Sequence, residues 1–487
     1  MKVKDHKYLF EDTTGAMRSF REDMNRNIQF VIGNQYTDED IRYLDSQRRP
    51  HYSLNLIKPE VMAFIGAEES NRRMTRVEDM EHSDSHMSDM LNSLLDQDNV
   101  EVSAYYEISM AIRDAAICRY GVTIQTYERT RKYPEGQYMI RAGDPRDVWW
   151  DYHPSESNFE NSEYIIYSRW YSPEHLIQLF VTDPSRRTDL SASASKLVGF
   201  DIQKTPYAAR TSSSNSLMSI RDKSKTLSDG NINLHNYSEY FDRGLFRVIE
   251  LHDRRVVVKR VIMDFKNNDV VEIPDEMKNN KEFIQAQLQL RGLEGDERAI
   301  IPYEIFEYWQ SVSAPGIDET ELLFEKKYAV QDGGYSIKIL PFYNFDHDRL
   351  GLRALVDDLI DPQEIYNKST SSELLLMLRA LNPTIIIGPN AVDDETQKAA
   401  LKANRTGAFI EAADPSDIHY KYPDMGIVNL FTRNAMQNVQ AISKTSTINE
   451  SLKGIRPSDA SGTLVTRLSG LAESMHKIVW QNIENFI

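Results

Sequence analysis

Residues 348–377 read DRLGLRALVDDLIDPQEIYNKSTSSELLLM, and this stretch constrains the fold more than any other. Leu352, Leu355, Leu359, Tyr366 and Leu374 recur at helical spacing, which predicts one long helix over 348–380. A polar ladder runs beside that stripe: Asp357, Asp361, Gln363, Asn367 and Ser371. Such a helix needs two kinds of neighbour, apolar groups for one face and hydrogen-bonding groups for the other. Pro362 lies inside the pattern, and a proline within a helix removes a backbone hydrogen bond, so a kink is expected there.

The rest of the chain alternates in character. Apolar periodicity predicts helices over 14–33, 57–72, 78–97 and 101–119, with Gly121 as the residue just past the last of them. Strands follow over 121–130 and 138–152, and another leads into a helix capped by Ser172 with Pro173 in its first turn. Residues 190–237 are rich in Ser and Asn and read as a long polar insertion, loop-like or only locally ordered. Strand patterns resume at 245–265, with a hairpin turn expected at Asp253–Arg254. A helix over 275–291 precedes strands over 300–312, 322–330 and 335–345, and Gly333–Gly334 signals a turn between the last two. Beyond the long helix come Pro383 and Pro389, a short basic helix over 393–407, and helices over 427–452 and 462–487. Mixed helices and strands in this order give an α+β class.

Chemistry is hard to find. No Gly-Lys dipeptide occurs, so the chain has no P-loop, and the dinucleotide-binding glycine fingerprint is missing too. His82 and His86 are four apart, but Ser83 stands where a zinc-hydrolase helix needs glutamate, so a solvated helix face is the better reading. No G-x-S-x-G elbow is present. Cys118 is the single cysteine; it excludes an internal disulfide, fits a reducing compartment and reads as a small buried apolar residue. Neither a signal-peptide run nor a membrane-length apolar segment appears. The tryptophans Trp149, Trp150 and Trp170, with Tyr152 and Tyr171, read as a core beneath the Asp144–Pro145 turn. Accordingly no catalytic, cofactor-binding or metal residue is assigned. A protein that grips DNA by its phosphates is expected to be basic, and at a net charge of −17 this chain is not so on average, which leaves room for it to surround DNA without holding it. Lys398, Lys402 and Arg405 form a local exception that could line a phosphate path.

Several stretches, in order, resemble one family. They are NRRMTRVED (71–79), YEISMAIRDAAICRYGVTIQTY, DPRDVWWD, ILPFYNF followed by GLRALVDDLIDPQEIYNKSTS, and SGTLVTRLSG (461–470). Together they resemble the portal proteins of tailed bacteriophages, in particular the short-tailed type. That resemblance implies an N-terminal helical and wing region over 1–274, a first stem helix at 275–295 and a clip at 296–346. A second stem helix at 347–381 follows, then a wing and tunnel-loop region at 382–426 and wing-to-crown helices at 427–487. It implies a closed ring of twelve copies at one capsid vertex of the virion, assembled in the host cytoplasm, with no enzymatic activity and no cofactor. Double-stranded DNA would pass through the ring during packaging and ejection. The partners implied are the major capsid protein, a scaffolding protein, the large terminase subunit and tail adaptor or head-completion proteins.

Placed in that frame, Gln363, Asn367 and Ser371 are expected to bond between stem helices. Asp357 and Asp361 are expected to face the channel, and Ile305, Phe306, Tyr308, Trp309 and Leu323 to form a clip core or a contact with the next copy. An acidic wall with isolated basic points would let DNA slide, because few phosphates would be held. Two other readings compete. A tail adaptor or head-completion connector is a smaller virion ring, and a metal-dependent hydrolase would use His82 and His86.

Overall fold

The computed structural model describes residues 2–198 and 246–381, then 384–387, 395, 418–421, 425–446 and 477–486. Within the first two spans, positions 71, 73–75, 79–84, 130, 132, 153–158, 182, 265–268, 274–279, 291–299, 316, 319, 329–333 and 345–347 lie outside the description.

Apolar residues spaced three and four apart start the chain as two helices, α1 (Val3–Ala16) and α2 (Arg18–Ile32). The single helix expected over 14–33 therefore begins earlier and breaks at Met17, which caps one helix and opens the next while fully buried. Gly33 closes α2 at φ 100°, a conformation that glycine adopts without a Cβ penalty. Helix α3 (Asp38–Ser46) starts on a capping box in which Thr37 and Asp40 satisfy each other's free N–H groups. Helices α4 (Ile57–Ser70) and α6 (Ala104–Cys118) follow close to the expected bounds, whereas the helix expected over 78–97 is described as α5 (Ser85–Glu101) and runs on to Glu101.

Strand β1 (Tyr120–Glu128) leaves α6 through Arg119, whose φ of 78° makes it the left-handed cap in place of the expected Gly121. Gly121 serves a different need. A Cβ there would lie 1.9 Å from the Ala111 carbonyl oxygen, so only glycine lets the strand pass this close to α6. Strands β2 (Gln137–Gly143) and β9 (Ile337–Pro341) flank β1 on its two sides, both antiparallel.

The larger sheet runs in the order β3 (Val148–Trp150), β4 (Tyr164–Tyr171), β5 (Phe246–Asp264), β7 (Ile300–Ser313) and β8 (Phe324–Lys327), with β6 (Asp269–Glu272) paired to the far end of β5. The hairpin expected at Asp253–Arg254 does not form. Both residues sit within the β5–β7 ladder opposite Trp309 and Tyr308, and their charges are met by Arg255 and the Asn161 carbonyl. Nor do the strands of 296–346 stand apart as a separate sheet: β7 pairs with β5 along its length, and β9 joins β1. Strands β8 and β9 lie in different sheets and so do not pair as the hairpin expected there; Gly334 has φ 68°, and Gly333 lies outside the described residues.

Ser172 caps α7 (Pro173–Phe180) as its sequence predicts. Helix α8 (Pro184–Val198) takes the first part of the expected polar insertion, and 199–245 lie outside the described residues. The helix expected over 275–291 is described as α9 (Lys281–Leu290).

Between these layers sit two main cores. Phe10, Met17, Phe20 and Met24 press on Tyr120, Trp149, Trp150, Ile165 and Ile249, so the tryptophan pair is core. Phe30, Ile57, Val61 and Phe64 meet Ile112, Phe342, Leu355 and Leu359 in the second.

Helix α10 (Ile360–Leu381) is shorter than the helix expected over 348–380. Residues 348–359 instead form turns and the short strand β11 (Leu352–Arg353), paired to β10 (Tyr343–Asn344). Leu352, Leu355 and Leu359 are buried all the same, and their spacing reflects that burial. Pro362 consequently lies in the first turn, where its missing N–H would have had no partner within the helix, and the expected kink has no cause. Helix α11 (Met425–Thr445) packs along α10. Strands β12 (Thr384–Ile387) and β13 (Ile418–Lys421) pair with each other, and α12 (Lys477–Phe486) rests near β9.

Candidate functional site

Three members of the polar ladder, Gln363, Asn367 and Ser371, are buried and bonded inside the chain. Gln363 is wholly buried; its Oε1 accepts from the Leu56 N–H at 3.0 Å, and its Nε2 donates to the Leu54 carbonyl at 2.8 Å. Ser371 does the same for Tyr52, accepting from its N–H at 2.8 Å and donating to its carbonyl at 3.3 Å. Contacts at residues 52, 54 and 56 follow the period of an extended chain, while 363, 367 and 371 follow that of a helix. Between them Asn367 accepts from Gln363 and donates to Gln35 Oε1 at 2.6 Å. These residues were expected to bond between stem helices. Instead they hold residues 35–56 of the same chain against α10, because that segment carries backbone groups that would otherwise be buried without partners.

Asp357 is likewise turned inward. Its carboxylate accepts two bonds from Arg119, at 2.9 Å from Nε and 2.8 Å from Nη2. Asn27 Nδ2 and the Ala354 N–H complete its shell at 2.9 and 2.7 Å. Its side chain is 6% exposed and that of Arg119 is 7% exposed, so the expected channel-facing role does not suit Asp357. Burial works against the Arg119 charge, but the bonds and charges of Asp357 and Asp23 outweigh it and raise its pKa. This node ties α2, the end of α6 and the turn before α10 into one unit. Asp361, by contrast, is exposed at the start of α10.

Three further buried groups escaped sequence reasoning. His6 is enclosed between Ser313 and Ser311, at 3.0 and 3.1 Å from its two ring nitrogens. His252 bonds Glu250 at 3.1 Å and also meets the Tyr328 hydroxyl. Arg349 donates to Asp151 Oδ1 at 2.5 Å. Each has a partner far away in sequence, and no local pattern announces that.

Over this architecture the family model described as Phage P22-like portal protein matches residues 7–470. The chain belongs to that portal family. No curated protein matches it. Portal proteins are structural components of the phage head-to-tail connector at the capsid vertex, and the α+β make-up fits this family.

The remaining expected sites of this portal protein are placed as follows. Lys398, Lys402 and Arg405 lie outside the described residues, as does His82; His86 is exposed on α5. Among the described residues no group of three or more His, Cys, Asp or Glu could hold a metal, and no helix is long and apolar enough to cross a membrane. Leu323 is buried within its own chain against Leu176, Ile177 and Val312, so it is not free for a neighbour. Trp309 lies under the Arg255 guanidinium, and Tyr308 meets the Tyr335 ring edge-on. Ile305 pairs with Val257 in the ladder. Phe306 is exposed and shares its ladder position with Val256, also exposed.

Proposed function

We propose that twelve copies of this chain close into a ring at one capsid vertex. Its axial channel carries double-stranded DNA during packaging and ejection. The family match across residues 7–470 carries this reading. Surface chemistry supports it. Helices α10 and α11 pack on each other yet leave Leu374, Met377, Leu378, Leu430 and Met436 exposed, apolar side chains suited to cover by a neighbouring surface. Ring neighbours would cover such stripes through heterologous contacts.

In this reading the ring docks the large terminase subunit, which supplies the energy that a chain without a P-loop cannot. Tail adaptor or head-completion proteins later take that position, and the major capsid and scaffolding proteins surround the ring during assembly. Asp361 remains a candidate for the channel side, and Phe306 with Val256 for the contact between clips. Lys398, Lys402 and Arg405 remain candidate DNA contacts. The acidic balance of the chain suits a wall over which DNA slides without being held. Electron microscopy of the full chain tests the reading through the presence of a ring with a central hole.

A further inference from the structure

Two surfaces of this chain are poorly matched to solvent and well matched to each other. The first is α5. Met87, Met90, Leu91 and Leu94 stand at i, i+3, i+4 and i+7 and are all exposed. No described side chain of this helix is buried, and its charged residues are Asp89, Asp96, Asp98 and Glu101, with no Lys or Arg. An isolated helix of this length is marginal in water, and an apolar stripe adds a demand for cover.

The second surface is a cleft of about 510 Å³ between α3 and α10. Tyr36, Tyr43, Leu44, Pro50 and Leu375 supply its apolar lining. Arg49 lines the cleft and is exposed. The acidic groups there already have partners: Asp40 closes the cap of α3, and Glu364 is paired to Arg26 and Lys368. The rim therefore presents arginine to an incoming group.

One chain cannot bring the two together. Helix α4 lies between them. It begins beside Leu56, which bonds Gln363 of α10, and ends near Glu68, which bonds Ser109 of α6 just past the α5–α6 corner. Its 14 residues make a strut of about 20 Å.

We propose that α5 of one copy docks in the α3–α10 cleft of the next copy, head to tail. The apolar stripe enters the cleft, and Asp98, which continues that stripe one turn beyond Leu94, meets Arg49. Two different surfaces used once each per copy make a heterologous contact, the kind that closes a ring. The proposal rests on the ring reading above and assigns one of its contacts.

The single cysteine makes the test clean. Cys118 is buried, and burial raises the pKa of its thiol, so it stays silent toward oxidants. In rings of the full chain, Leu91→Cys together with Tyr43→Cys gives a ladder of covalently linked copies on a non-reducing gel, and neither change alone does. Asp98→Lys weakens assembly about fivefold at an unchanged melting temperature, and adding Arg49→Glu restores it. Rings that assemble without the ladder and tolerate the charge reversal overturn the docking while leaving the ring reading intact. A cross-link from α5 to a different virion protein overturns it equally. If the unmodified chain makes no ring in the presence of its capsid proteins, both readings fall.

Discussion

Asp357 grips Arg119 with both carboxylate oxygens, at 2.8 and 2.9 Å, in a setting where neither side chain is more than 7% exposed. The pair joins the turn before α10 to the end of α6, and Asn27 brings in α2. Removing one partner leaves the other charge buried and unpaired, at a cost of about 3–5 kcal/mol. Asp357→Asn should therefore lower the denaturation midpoint sharply. Arg119→Lys should fall only partly short of that, since lysine cannot reproduce the two-pronged contact. Chemical denaturation of the two variants checks the order. Equal midpoints for Asp357→Asn and the unmodified chain would show that the pair is not structural.

The ladder on α10 makes a local prediction. Gln363→Ala leaves the Leu56 N–H and the Leu54 carbonyl without their partner, a loss of about 1–3 kcal/mol. Hydrogen exchange should accelerate in the peptide covering 50–57, while amides of β1 stay protected. Ser371→Ala should act on the Tyr52 amide in the same way. Unchanged exchange in both variants would mean that the segment is held by other contacts.

His6 predicts a pH dependence. Burial pushes its pKa from 6.5 down to about 4, with Asp5 and Glu325 partly opposing. Between those values the unfolded chain binds a proton that the folded chain refuses. Its contribution to stability is therefore complete above about pH 6.5 and is lost as pH falls toward 4, by up to about 3 kcal/mol. Melting temperatures of His6→Gln and the unmodified chain at pH 7 and pH 4.5 isolate this share. The variant should lose less on acidification, and equal losses would assign the acid sensitivity elsewhere.

Two glycines predict opposite signs. Gly121→Ala drives a Cβ against the Ala111 carbonyl and should cost about 3 kcal/mol or more. Gly66 lies exposed within α4 with nothing within 4 Å of where an added methyl group would sit, and Gly66→Ala should stabilise by about 0.5–1 kcal/mol. Thermal melts of the two variants decide both.

Local chemistry made much of this fold legible. The capped start of α7 at Ser172 and the bounds of α4 and α6 follow from side-chain periodicity and cap residues, while α3 and most of α1 were not expected as helices. Where the reading failed, long-range burial had copied a local pattern. Leu352, Leu355 and Leu359 keep helical spacing because each faces a buried core, yet the backbone there turns and Pro362 opens a helix instead of bending one. Asp253–Arg254 resembles a turn but has strand partners distant in sequence. The ladder residues Gln363, Asn367 and Ser371 were recognisable as a set. Their partners were not, because Gln35 and Tyr52 lie more than three hundred positions away. Arg119 offered no signal at all, since only the folded chain brings it to Asp357.

Cryo-electron microscopy of the full chain assembled with its capsid tests the central claim most directly. The account predicts one twelve-membered ring at a single vertex, with an open axial channel wide enough for duplex DNA. Copies spread over all vertices, or an assembly with no hole along its axis, would contradict it.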